Sequence, residues 1–96
     1  MKPEAVLAAG LLFQLAVTPR KGDQVCVYLD EEVPVATWRE WTGGVRFGYR
    51  EEGEAVAICL SNPSEVIEDP EHPLWDALAT LAGEALGGAS KGGLQG

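Results

Sequence analysis

Two tryptophans three residues apart, with an arginine and a glutamate between them, make Trp38-Arg39-Glu40-Trp41 the stretch of this chain best suited to recognition. Indole rings and guanidinium groups dominate binding hot spots, and Arg39 can stack on an aromatic face as a cation. The competing use is structural, with one ring in the core and the other over a sheet edge. The only histidine, His72, lies between Glu71 and Pro73. Nucleophilic or acid–base catalysis needs a positioned partner, and a histidine at a helix start serves more simply as a capping-region residue. With Glu68, Asp69 and Glu71 it offers oxygen and nitrogen donors, but in no recognised metal-ligand spacing and without the central glycine of a calcium loop.

Cys26 and Cys59 sit in Val25-Cys26-Val27 and Ile58-Cys59-Leu60 without the cationic neighbour that activates a thiol. They are expected to behave as small hydrophobes, each on the strand face opposite the large aliphatics, where they can meet across neighbouring strands. Two cysteines fall short of the disulfide framework of small secreted domains, so a reducing, cytoplasmic setting is expected. No glycine-rich phosphate loop is present: Gly43-Gly44 has no lysine and helix after it, and Gly87-Gly88 ends a helix instead of opening one. The chemistry on offer is therefore that of binding, with no enzyme activity, cofactor or metal expected.

Charge sharpens this reading. The chain carries fifteen acids against seven lysines and arginines, a formal net of −8. Residues 1–50 are balanced, whereas residues 51–96 hold nine acids and the single base Lys91. Seven of those acids, Glu51, Glu52, Glu54, Glu65, Glu68, Asp69 and Glu71, fall within residues 51–71 without an intervening lysine or arginine. A surface of this sign repels phosphate backbones and anionic membranes and attracts basic proteins. Its plainer role is to solubilise a hairpin tip.

The elements that must position these residues follow from periodicity. Pro3 suits a first helical turn, and a helix over about 3–17 is predicted, with Leu7, Leu11, Leu12 and Leu15 on one side and Val6, Phe13 and Val17 on the other. Alternation of Leu11, Phe13, Leu15 and Val17 as a strand is the competing reading. The apolar run is too short to span a bilayer, and Glu4 and Gln14 are out of place in a secretion signal. From 24 to 61 the period becomes two, in the runs Val25-Val27-Leu29, Val45-Phe47-Tyr49 and Val56-Ile58-Leu60. Turn signals at Asp30-Glu31-Glu32, Thr42-Gly43-Gly44 and Glu51-Glu52-Gly53-Glu54 predict an antiparallel meander. A strand over about 34–41 places Trp38 and Trp41 on opposite faces unless a bulge intervenes. Residues 61–72 read as a loop. Pro73 opens a second helix with the stripe Leu74, Leu78, Leu81 and Ala85, and Gly87-Gly88 stops it.

The expected fold is α+β: an N-terminal helix, a four-stranded antiparallel meander and a C-terminal amphipathic helix packed on one sheet face. Residues 1–88 form one small domain and 89–96 a Gly-rich tail. A domain this small buries only about 64% of its unfolded surface. Because the sheet can cover only one side of the first helix, a homodimer through Val6, Phe13 and Val17 is expected. In size, acidity, helix–meander–helix order and the run Gly22-Asp23-Gln24-Val25-Cys26-Val27-Tyr28-Leu29-Asp30, the chain resembles class I type III secretion chaperones. That resemblance implies an adaptor or chaperone-like protein. The expected function is an acidic protein-binding module whose partner has a basic surface. Trp38, Arg39 and Trp41 are its candidate anchors and the seven acids of 51–71 its steering charges. The alternatives are a phage-type inhibitor that imitates nucleic acid in a basic groove, or a small enzyme subunit resting on His72.

Overall fold

The structure is a computed structural model that describes residues 2–17 and 24–83. Its elements are α1 (Pro3–Val17), β1 (Gln24–Tyr28), β2 (Thr37–Thr42), β3 (Val45–Tyr49), β4 (Ala55–Ser61) and α2 (Pro63–Ile67), followed by α3 over residues 73–83. The α+β class and the two terminal helices are as the periodicity predicts, and residues 11–17 are helix rather than strand. The expected tail 89–96, the stop at Gly87-Gly88 and the 18–23 turn lie outside the described residues.

The sheet is antiparallel throughout, in the order β1-β4-β3-β2. Three strands form the meander: β2 pairs with β3 through the two-residue Gly43-Gly44 turn, and β3 pairs with β4. Both turn glycines have positive φ, 59° and 85°, which matches the twist of a tight hairpin and disfavours any side chain there. The first strand departs from a sequential meander. It skips past β2 and lies on the far side of β4, so Asp30-Glu31-Glu32 is not a hairpin turn but part of a connection across the end of the sheet. Three hairpin-linked strands with a fourth returning beside the last give Greek-key order read backwards along the chain. The physical reason is β4 itself. Ala55 to Leu60 is apolar without alternation and buried at every position, a strand that needs neighbours on both edges.

Helix α1 packs on β4 and β1 and touches α2. Its buried residues Leu7, Leu11 and Leu15 join Val25, Val45, Phe47, Ile58 and Leu60 of the sheet in one core, which Leu74, Leu78 and Ala82 of α3 complete. Both helices therefore lie on the sheet face that carries Phe47 and Ile58. The opposite face carries Gly48, Ala57, Cys59 and Cys26, and no helix among the described residues covers it. Residues 61–72, expected as a loop, contain the single-turn helix α2. Pro63 opens it, and the Trp75 indole N–H pins it by donating to the carbonyls of Val66 (2.9 Å) and Asp69 (3.0 Å). None of the described helices is long and apolar enough to cross a membrane.

Candidate functional site

The segment Thr37–Thr42 forms β2, an edge strand exposed along its whole length. Among the described residues it is paired on one side only, so about half of its backbone N–H and C=O groups point away from the sheet unpaired by any strand. A bulge interrupts its register between Glu40 and Thr42. The bulge does not bring the two tryptophans to a common face. Trp38 stands opposite Gly48 on the helix-free side and, with Val35, occupies the space that a side chain at Gly48 would fill. Trp41 turns to the helix side, where its ring meets Phe47 edge to face at 5.8 Å. Neither ring is a core residue, since 41% of Trp38 and 38% of Trp41 remain exposed.

An arginine lies on each face of the β2–β3 hairpin. The Arg39 guanidinium lies 5.4 Å from the centre of the Tyr49 ring on the helix side, and that of Arg46 lies 5.7 Å from Trp38 on the other. Arg46 also donates through Nη2 to Gln24 Oε1 at 3.2 Å, which ties β3 to β1 across the helix-free face. Both contacts are of the cation–π class.

On the helix side, Trp41, Phe47, Tyr49 and Leu81 of α3 meet Lys2 and Glu4 at the start of α1 around an open cleft of about 450 Å³. The Tyr49 hydroxyl is held above its usual pKa by burial and by the Glu4 carboxylate, against the opposing pull of Arg39. Sequence reading did not find this cleft. The single available signal was that Phe47 and Tyr49 share a strand face; the approach of Glu4 and Leu81 depends on tertiary packing.

The seven acids of 51–71 do not form one patch. Glu51, Glu52 and Glu54 are exposed at the β3–β4 hairpin, whereas Glu65, Glu68, Asp69 and Glu71 lie on or just after α2, beyond the other end of β4. Seven strand residues separate the groups by roughly 20 Å. Arg50 partly neutralises the first group. Its Nε donates to Glu52 at 2.7 Å and its Nη1 is 3.5 Å from Glu54. The Arg50 hydrogen bond and charge hold the Glu52 carboxyl below the usual range. In the second group, Asp69 accepts the Glu71 N–H, a local turn bond.

His72 caps α3: its Nδ1 accepts the Leu74 N–H at 3.1 Å. Among the described residues, no cluster of histidine, cysteine and carboxylate side chains could hold a metal ion. Cys26 and Cys59 do face each other, as their strand face suggests, but as a disulfide and not as two free hydrophobes. Val6 is half-buried, while Phe13 and Val17 of α1 are 62% and 53% exposed. The second apolar side of the helix is therefore not covered by the described part of its own chain. No family model matches this chain, and no curated protein or solved structure shows a significant match to it.

Proposed function

We propose that this chain is a non-enzymatic module that binds a protein partner with a basic surface and self-associates through Val6, Phe13 and Val17 of α1. The observation that carries the reading is β2, an edge strand exposed from end to end with a tryptophan on each face. Aromatic anchors at such a position supply the short-range energy that exposed ion pairs, worth ~0–1 kcal/mol each, do not. Around them, the uncompensated carboxylates raise the rate of encounter with cationic surfaces, an effect that salt suppresses. A cytoplasmic location is the reading the low cysteine count favours; the Cys26–Cys59 disulfide weighs against it, because reducing compartments keep thiols free.

The test is to cross-link the chain to its neighbours in its native cell, purify the partner identified, and titrate it against wild type and the Glu51→Gln, Glu52→Gln, Glu54→Gln triple variant. Binding should weaken in the variant and with added salt. Binding that is indifferent to both refutes the electrostatic reading. Turnover of a small molecule by purified protein, lost in His72→Ala, would replace it with an enzyme.

A further inference from the structure

We infer that β2 accepts an extended segment of a partner protein as a fifth strand, with one apolar side chain of that segment seated in the Trp41–Phe47–Tyr49–Leu81 cleft and basic side chains beside Glu40 and Glu51. The inference rests on the proposed basic partner and names where and how it docks.

Three observations carry it. The first is the unpaired edge. Thr37 to Glu40 pair regularly with Tyr49 to Arg46 on one side and, among the described residues, have no strand on the other. Natural edges exclude visiting strands with prolines, lysines or inward charges; Thr37–Thr42 holds no proline or lysine, and its one charge on the helix side, Arg39, is drawn back over the Tyr49 ring. Only the bulge limits pairing, and it confines a visiting strand to Thr37–Glu40 while tipping Trp41 toward the helix side.

The second is the cleft beside that edge. A strand added to β2 projects alternate side chains to the helix side, and the cleft walled by Trp41, Phe47, Tyr49 and Leu81 opens there. The apolar surfaces of those four residues and an opening of about 450 Å³, which Lys2 and Glu4 also line, suit one leucine- to tryptophan-sized side chain.

The third is charge, which selects the occupant. Arg50 is engaged by Glu52 and Glu54, Arg46 by Gln24 and the Trp38 ring, and Arg39 by the Tyr49 ring. Glu40 and Glu51, on the strand and at the adjoining hairpin, make no ion pair among the described residues. Basic residues on a visiting strand meet those carboxylates. A second copy of β2 fits poorly. In a two-fold antiparallel pairing each residue faces one of its own parity, so within Thr37–Glu40 the two registers with greatest overlap oppose Trp38 to Trp38 or Arg39 to Arg39, and neither sets a cation opposite Glu40.

The experiment uses the full chain as bait for a displayed library of random linear peptides. Synthetic versions of the enriched peptides are titrated against it, and amide hydrogen exchange is followed in the free and bound protein. The expected result is an enriched pattern of alternating residues with an apolar side chain and lysine or arginine. Binding should be lost when alternate peptide amides are N-methylated and weaken about 10- to 30-fold in Trp41→Ala. The amides of Thr37–Glu40 that point away from β3 should gain protection in the wild-type complex, a readout that does not depend on the variant folding. No enrichment, or enriched peptides that leave those amides unprotected, overturns the strand-addition inference. Basic peptides that bind without protecting β2 and fail against the Glu51, Glu52, Glu54 variant leave the basic-partner reading standing alone. Peptides that protect β2 but carry no basic residue refute that reading and the charge assigned to the occupant.

Discussion

Cys26 and Cys59 stand opposite each other on β1 and β4, with Cα atoms 4.0 Å apart and their sulfurs bonded. The Leu29 N–H donates to the Val56 carbonyl, so the Leu29–Val56 pair is a hydrogen-bonded one, and pairs alternate along the ladder. Counting back three positions places Cys26 and Cys59 at a non-hydrogen-bonded pair, where opposed side chains are closest. The bond joins the edge strand β1 to the central strand across 33 residues of sequence, most of which form β2 and β3.

Closing a loop of 33 residues restricts the unfolded chain by about 3–4 kcal/mol. The protein purified without reductant should therefore show no thiol reactive to a colorimetric reagent. Cys26→Ser with Cys59→Ser should lower denaturant stability by about that amount. A loss below ~1 kcal/mol would mean that the ladder and α1 hold β1 unaided.

Leu78 is fully buried in α3 among core residues from α1 and the sheet. Leu78→Ala should cost about 2–5 kcal/mol, through lost transfer energy and the cavity left behind. Chemical denaturation measures it, and a cost under ~1 kcal/mol would show that α3 is not packed as described.

Gly48 is required by its neighbours and not by its backbone angles. A Cβ there would lie 2.9 Å from Val35 Cγ1 and 3.1 Å from the edge of the Trp38 ring. Gly48→Ala should destabilise the fold by about 1–3 kcal/mol, and shift Trp38 fluorescence as the ring is displaced. The double variant Gly48→Ala, Val35→Ala should recover part of the loss.

Light scattering should report a dimer at high micromolar concentration, and Phe13→Asp should return a monomer. Phe13 is 62% exposed, so the monomeric fold itself should change by no more than about 0.5 kcal/mol. A wild-type monomer mass would remove α1 as a self-association surface.

The depressed Glu52 pKa makes a signed prediction. A carboxylate favoured in the folded state contributes stability above its unfolded pKa and loses that contribution as pH falls through its lowered folded value. The Arg50–Glu52 pair should thus help the hairpin at neutral pH and cease to help below the usual carboxylate range. Arg50→Gln should raise the Glu52 titration midpoint toward that range by NMR. An unchanged midpoint would mean that the contact does not persist in solution, as surface pairs often do not.

Local chemistry along the chain determined the element types and several of their ends. Pro3 starts a helix because a first turn tolerates a missing N–H, His72 caps α3 before Pro73, and Gly43-Gly44 turns a hairpin because both positions need positive φ. Each depends on residues within a turn of one another, so no tertiary knowledge is needed. Strand order, the disulfide and the cleft were decided only by the folded chain. The unbroken apolar run Ala55–Leu60 marks a central strand, but which strand fills its second edge depends on where α1 buries Leu7 and Leu11 against β4 and β1. Once β1 takes that edge, Cys26 must meet Cys59, β2 is left at the rim with Trp38 and Trp41 on its two faces, and the acids of 51–71 part to opposite ends of β4. Proximity in sequence sets charge density along the chain, while seven residues of extended backbone set it in space.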